Sequence, residues 1–397
     1  VFNIYVDLEK VKIVLVNKFY YRRGGDCIYT MNLEKILKEK GCEVAVYSMN
    51  YPENEESKWS EYWPSNMSVL DVFTRPFGDS QVINGFTRLL DDFNPDVVHL
   101  NNIHTQLSPV IAKIAHEKGI RVVWTLHDTK LVCPCYTCMR GGNWCTECFT
   151  KKSSVIKHRC MPGGILGAIV GYLEAKKWNK EKLQEYCDLF LPPSKFMLET
   201  CVQGGYDNEK FRVLPNFIDV EKVRNLSFEK DDYYVYLGRI NEVKGVRTLC
   251  KAASLLNKKL IVIGGGELLP ELKEQYKAND NIEFRGEMAW NDFRPILEKA
   301  RFMVIPSEWS ENNPLTVIES LSLGTPVLGS RIGGIPELID EKNGMTFISG
   351  NADDLKDKIE KMFNAHFDYE QISQKAIERY SGDAYVEQLL LYYKGNN

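Results

Sequence analysis

Short, unbroken apolar runs separated by helix-length stretches decide the architecture of this chain before any single residue does. KIVLVN (Lys12–Asn17), EVAVYS (Glu43–Ser48), VVHLNN (Val97–Asn102) and VVWTLHD (Val122–Asp128) have the length of strands and carry apolar side chains at successive positions. That is the composition of strands buried on both faces of a parallel sheet. Amphipathic stretches near 81–93 and 108–117 fall between them, and the alternation predicts a doubly wound α/β sheet. The beat stops at LFLPP (Leu189–Pro193) and resumes, after FRVLPNFID (Phe211–Asp219), with YYVYLG, LIVIGGG, IEFRG and FMVIP. A chain of 397 residues has room for two such units, each with its own core. Ligands of open parallel sheets bind beyond the carboxyl ends of the strands, which makes His99, Asn101, Asn102, His104, His127 and Asp128 the first candidates in the first half.

In the second half the richest strand exit is Pro306–Gly324, PSEWSENNPLTVIESLSLG. Pro306 ends the FMVI run, Asn313 is of the type that caps helices, and Pro314 suits a first helical position. The amides of Leu315, Thr316 and Val317 are then expected to point free, an anion-binding helix start. Glu311 just before the helix and Glu319 inside it lie about two turns apart. Two acids beside free N–H groups would repel a bare phosphate; a ligand with phosphates in its middle and hydroxyls at both ends fits them. A nucleotide sugar is such a ligand. Taken alone, the two acids also read as solvated residues of a helix start.

Two cations stand past another strand end. Gly238-Arg239 and Lys244-Gly245 follow YYVYL, and Arg239 with Lys244 can grip a diphosphate from one side while the helix amides take the other. In the first half, YYRRGGD (Tyr20–Asp26) turns strand into helix through Gly24 and Gly25, a phosphate-loop arrangement. Its spacing departs from G-x-G-x-x-G, which weighs against a Rossmann oxidoreductase. No D-x-D pair occurs, so a metal on the diphosphate is not needed.

The Pro306–Gly324 segment resembles the E-x7-E signature of the retaining family 4 glycosyltransferases, including the PSEW lead-in, the exit Gly324-Thr325-Pro326-Val327 and the downstream Gly333-Gly334-Ile335-Pro336-Glu337. The resemblance extends over nearly the whole chain and implies the GT-B architecture, two facing doubly wound Rossmann-like domains with a cleft between them. It implies an acceptor-side domain over residues 11–217, a nucleotide-sugar-binding domain over 218–379, and a last segment, 380–397, packing back onto the first. Asn216, Ile218 and Asp219 resemble the family's N-G-[IV]-D crossover, with Phe217 where glycine is usual. Carried onto this chain, the family's roles place Glu311 on hydroxyls of the transferred sugar, Glu319 on the ribose, and Arg239 and Lys244 on the leaving diphosphate. His127 falls on the transferred sugar, Gly24 and Gly25 against phosphates and acceptor, and the backbone near Gly286 at the base. The implied reaction is a retaining transfer from a nucleotide diphosphate sugar to a hydroxyl of a saccharide or polyprenyl-linked saccharide, with no cofactor required. A GT-B epimerase or phosphorylase would share the fold and is the alternative.

Six of the eleven cysteines crowd into residues 133–160. Cys135-x-x-Cys138 and Cys145-x-x-Cys148 have metal-knuckle spacing, and four thiolates would close a structural zinc with no open position for catalysis. The set assigned to such a zinc is Cys138, Cys145, Cys148 and Cys160; reduced or reshuffling thiols are the other reading. Comparable insertions in the resembling family carry cysteines matching Cys133, Cys145, Cys148 and Cys160, from which Cys135 and Cys138 depart. A non-enzymatic zinc-loop interaction protein would account for these cysteines and leave the cationic loops idle. Next, Lys151–Lys182 sets GGILGAIVGYL between KK, KHR and KK, which reads either as a core helix with charged ends or as a helix lying on an anionic membrane face. A net charge of −4 excludes a general nucleic-acid binder. With no signal peptide and no run of eighteen apolar residues, the expectation is a cytoplasmic protein, at most peripheral to the inner face of the membrane. Residues 1–10, VFNIYVDLEK, read as an extension and receive no role.

Overall fold

The computed structural model describes residues 11–66 and 71–395; residues 1–10, read above as an extension, lie outside that range. The chain divides into two units, one running to Leu214 and taking in the residues from Val386 onward, the other spanning Pro215–Tyr385.

In the first unit β1 (Lys12–Val16), β2 (Glu43–Tyr47), β3 (Val97–Leu100), β4 (Arg121–Thr125) and β5 (Leu189–Leu191) form one sheet in the order β2-β1-β3-β4-β5. Every pairing in it is parallel, with Val14 opposite Ala45 on one side and Val98 on the other. Ile13, Val14, Leu15, Val16, Val98 and Leu100 are fully buried, because helices such as Gly25–Glu39, Ser80–Phe93 and Val110–Glu117 connect the strands and cover the sheet. Strand order reverses between β1 and β3, which makes their carboxyl ends a topological switch point.

The second unit repeats the plan. β6 (Tyr233–Leu237), β7 (Lys259–Ile263), β8 (Ile282–Gly286), β9 (Met303–Ile305), β10 (Val327–Ser330) and β11 (Gly344–Phe347) form a parallel sheet in the order β8-β7-β6-β9-β10-β11. Its order reverses between β6 and β9. The loop carrying Arg239 and Lys244 leaves β6, and the Pro306 segment leaves β9, so the two loops singled out in the sequence flank the second switch point.

The last helix, Gly382–Tyr393, crosses the division at Val386. Beyond that point it belongs to the first unit, where Val386 and Leu389 are buried, Arg121 Nε donates to the Tyr392 carbonyl at 3.1 Å, and the Tyr393 hydroxyl meets His99 Nδ1 at 2.5 Å. The helix Gly164–Lys177 departs from the core-helix reading. Its buried residues are Ala168, Gly171 and Glu174, while Ile165, Leu166, Ile169 and Leu173 stand exposed.

Candidate functional site

At the second switch point glycines let three strand exits touch through their backbones. A Cβ on Gly264 would lie 1.8 Å from the Gly238 carbonyl oxygen, and one on Gly266 would lie 2.3 Å from that of Ile240. Hydrogen bonds complete the mesh, from Gly238 N to Ile263 O (3.1 Å), Ile240 N to Gly265 O (2.7 Å) and Gly264 N to Gly286 O (2.8 Å). Gly286 itself sits at φ +74° with open space where a side chain would project, which leaves room for a flat ligand at the end of β8.

Against this floor the β6 and β9 loops close on each other. Glu308 N donates to the Val243 carbonyl at 2.9 Å, and Gly245, at φ +66°, passes so near Pro306 that a Cβ would come within 1.9 Å of its carbonyl oxygen. Lys244 Nζ therefore reaches Glu311 Oε1 and pairs with it. Ser307 Oγ donates to the same carboxylate oxygen at 2.9 Å. The Gly333-Gly334 turn holds the Glu311 backbone, with Gly334 N on the Glu311 carbonyl at 2.7 Å. A Cβ on Gly333 would stand 2.3 Å from that same oxygen, so the downstream glycine motif positions Glu311, a role the sequence did not reveal. Arg239 is exposed and has no ion pair among the described residues; its carbonyl accepts from the Tyr236 hydroxyl at 2.6 Å.

The helix start differs from expectation in two details. Asn313 is not the cap, because its side-chain oxygen accepts from Asn216 N at 2.9 Å and its carbonyl from Asn216 Nδ2 at 2.7 Å. The helix runs Leu315–Ser322 with Pro314 at the capping position and no side-chain cap. The Val317 amide is accordingly engaged, donating to the Pro314 carbonyl at 3.1 Å. Leu315 and Thr316 occupy the first two helical positions, whose amides have no acceptor within a helix. Glu319 lies one turn further on, half-buried.

At the first switch point Gly24 is extended and Gly25 opens the helix Gly25–Glu39, with Asp26 in its first turn. The Asp26 carboxylate accepts from Asn102 Nδ2 at 2.7 Å, and Asn102 N donates to Asn17 Oδ1 at 3.1 Å. This joins the exits of β1 and β3. His127 Nε2–H donates to Asn101 Oδ1 at 2.9 Å, and its ring meets Tyr29 edge-on at 4.9 Å. Burial pushes the His127 imidazole below its ordinary pKa, against the pull of Asp26 and Asp128. Burial acts on Asp26 in the opposite direction, yet His127, the Asn102 hydrogen bond and Lys18 outweigh it and hold that carboxyl below its usual range. Asp26 and Asn17 were not singled out in the sequence, since their partner is 76 residues away in the first case and 85 in the second.

His99 is a packing residue. It is fully buried between Tyr393 and Thr125, whose hydroxyl lies 2.8 Å from Nε2, and burial lowers its pKa to about 3. His104 faces Glu174 at 3.8 Å. Glu174 in turn pairs with Lys130 at 2.9 Å, and although burial opposes it, Lys130 and His104 bring its carboxyl down to about 2.

The zinc set does not assemble. Among the described residues no group of three or more histidines, cysteines, aspartates or glutamates is arranged to hold a metal ion. The thiols instead converge on Cys133, which hydrogen-bonds with Cys135, Cys138 and Cys148 and is thereby held well below the ordinary thiol range. The Cys133 and Cys135 sulfurs are 3.4 Å apart. Cys145 and Cys160 are less buried than those four, so Cys138, Cys145, Cys148 and Cys160 do not form one buried ligand set; all eleven cysteines are free thiols.

Residues 23–222 match the model described as Glycosyltransferase Family 4, and residues 217–379 the one described as Glycosyl transferases group 1. An uncharacterised 42.6 kDa protein of the cps region of Klebsiella pneumoniae is 25% identical over 97% of this chain and 100% of its own length. The UDP-Gal:alpha-D-GlcNAc-diphosphoundecaprenol alpha-1,3-galactosyltransferase of Escherichia coli is 28% identical over 34% of this chain and 41% of its own. Among solved structures, the apo form of the lipopolysaccharide outer core galactosyltransferase WaaB superposes with a TM-score of 0.69 at 15% identity, covering 98% of this chain and 100% of that one.

Proposed function

The chain belongs to the glycosyltransferases, with a family 4 first half and a group 1 second half, and from that premise we propose that it moves a sugar from a nucleotide diphosphate sugar to a hydroxyl of a saccharide or lipid-linked saccharide, with retention and without a metal. The observation that carries this reading is the second switch point, where Lys244 pairs with Glu311 across the loops leaving β6 and β9, the first of which also carries Arg239 and the second of which leads into the helix Leu315–Ser322.

Breaking the sugar–phosphate bond builds charge on the leaving diphosphate. Fixed cations and amides that need no rearrangement stabilise that charge most where water is excluded. Arg239 and Lys244 supply the cations, and Leu315 and Thr316 the amides. Glu311 accepts from hydroxyls of the transferred sugar, Glu319 from the ribose hydroxyls, and the backbone at Gly286 borders the base. In the first unit His127, neutral near pH 7 with its Nε2–H committed to Asn101, accepts at Nδ1 from a sugar hydroxyl, and the Gly24-Gly25 turn lies against phosphates and acceptor. An oxygen of the departing phosphate takes the acceptor proton as the new bond forms on the same face.

The relative named for a diphosphoundecaprenol-linked sugar supports an acceptor carried on a polyprenyl lipid, and such an acceptor would bring the protein to a membrane surface. No helix among the described residues is long and apolar enough to cross one, so contact would be peripheral. Nothing in the comparisons favours the epimerase or phosphorylase alternative. A thermal-shift panel of UDP, GDP, ADP and their sugars in chelator tests the reading, because a ligand bound only by the folded state raises the melting temperature. One selective rise supports it; no rise with any nucleotide overturns it.

A further inference from the structure

The helix Gly164–Lys177 is built inside out. Its inward side carries small residues, with Ala168 and Gly171 buried and Gly167 so close to the preceding turn that a Cβ would lie 1.9 Å from the Pro162 carbonyl oxygen. Its large apolar side chains face outward instead: Ile165 is 43% exposed, Leu166 62%, Ile169 38% and Leu173 43%. At 100° per residue these four fall within about a third of the helix circumference. A soluble helix of ordinary kind turns such a stripe inward, and four large aliphatic side chains in water along three turns mark an interaction surface.

Charge identifies the occupant. Residues 151–182 hold eight lysines and arginines against two glutamates, in a chain whose net charge is −4. One of those glutamates, Glu174, is buried and neutralised by Lys130. The stripe itself ends in Lys176 and Lys177. Lys177 Nζ is fixed on the Phe77 carbonyl at 2.5 Å; burial lowers its pKa, and Lys182 and Lys113 push the same way. Lys151, Lys176 and Lys180 also line a cavity of about 450 Å³ beside the helix. Cations crowded at one end of an apolar stripe match the boundary of an anionic bilayer, with side chains among acyl chains and ammonium groups among headgroup phosphates. A second copy of this chain would bring like charges together and is disfavoured.

We propose that the outward face of Gly164–Lys177 docks the protein on an anionic membrane, with Ile165, Leu166, Ile169 and Leu173 entering the apolar boundary and Lys176 and Lys180 meeting lipid phosphates. The proposal rests on the lipid-carried acceptor for its purpose, and names the surface that reaches it.

The test is co-sedimentation of the full chain with sucrose-loaded vesicles of phosphatidylglycerol and phosphatidylcholine, against phosphatidylcholine alone. The unaltered protein is expected to bind the anionic vesicles and to release as salt rises. Leu166→Ser combined with Leu173→Ser, and separately Lys176→Glu, should lower the partition coefficient roughly tenfold or more, while the melting temperature and its rise with nucleotide stay unchanged, since all three side chains are exposed. Failure of the unaltered protein to bind overturns both this surface and the peripheral-membrane reading. Undiminished binding by folded variants overturns the surface alone. A dimer that the same variants dissolve without vesicles, with vesicle binding unaffected, assigns the face to a second copy and overturns the proposal.

Discussion

Lys244 and Glu311 form an ion pair between the two loops that leave β6 and β9. The pair explains how an acid can stand beside a proposed diphosphate site, since the cation offsets its charge and holds the carboxylate in place. Lys244 keeps 29% of its side-chain surface open and Glu311 13%, so the pair is mostly shielded from water, and removing Lys244 leaves Glu311 with the Ser307 hydroxyl as partner at a cost to folding of about 1–3 kcal/mol. Lys244→Ala should therefore lower the melting temperature by a few degrees and stay folded, while kcat for transfer falls about a hundred- to a thousandfold, the usual loss when a fixed group facing developing charge is removed. Denaturation and steady-state kinetics on the same preparation check this. A variant that unfolds would make Lys244 a structural residue.

Glu319 sits one turn into the helix whose first amides face the proposed phosphates, and its assigned role is in binding rather than in bond breaking. Glu319→Gln keeps the shape and removes the charge. Nucleotide affinity by calorimetry should weaken about tenfold, the value of one charge-assisted hydrogen bond. An affinity within a factor of two of the unaltered protein's would remove the ribose assignment.

The buried His99 makes stability depend on pH. Its pKa falls from 6.5 to about 3 on folding, through burial first and the neighbouring His127 second. Between those values the unfolded chain binds the extra proton, so stability is complete above about 6.5 and declines as pH falls toward 3. From pH 7 to 5 the decline due to His99 should be on the order of 2 kcal/mol, read as a shift in guanidinium midpoint. His127, whose pKa burial also lowers, adds its own part to the decline in the same range and remains when His99 is replaced; Glu174 and Asp26 also have lowered pKa values, but as carboxyls they lose stability only below about 4. His99→Gln should flatten the slope between pH 7 and 5, whatever it does to absolute stability; an unchanged slope would assign the effect elsewhere.

Strands were legible because burial on both faces leaves an unbroken apolar run, and the two loops at the second switch point were legible because Arg239, Lys244, Glu311 and Glu319 all belong to local patterns. What stayed hidden was nonlocal. Asn313 reads as a cap by type, yet Asn216 from the crossover segment claims its side chain. The Gly333-Gly334 turn looks like punctuation until its backbone is seen against Glu311. Asp26 gains meaning only from Asn102. In GILGAIVGYL every side of the helix is apolar or small, so periodicity cannot say which face turns inward; residue size decides, with glycine and alanine packing close and the aliphatics left outside. The cysteine spacing suggested two metal knuckles, but the fold gathers the buried thiols around Cys133 and leaves Cys145 and Cys160 nearer the surface.

The closeness of the β6 and β9 loops depends on one missing Cβ. Gly245 has φ +66°, and an added Cβ would meet the Pro306 carbonyl at 1.9 Å to oxygen and 2.8 Å to carbon. Both contacts are backbone, so no rotamer change relieves them. Gly41 offers a control, at φ +87° with nothing within 4 Å of the same added atom. Gly41→Ala should cost about 1–2 kcal/mol of backbone strain alone. Gly245→Ala should cost more, because the β6 loop must also retreat from β9, and Lys244, the preceding residue, retreats with it. Its kcat should then fall toward that of Lys244→Ala, although no charged group has been touched. Denaturant midpoints and kinetics on the two alanine variants separate strain from displacement. If Gly245→Ala proves no more costly than Gly41→Ala and keeps full turnover, then the close approach at Pro306 does not hold Lys244 in place.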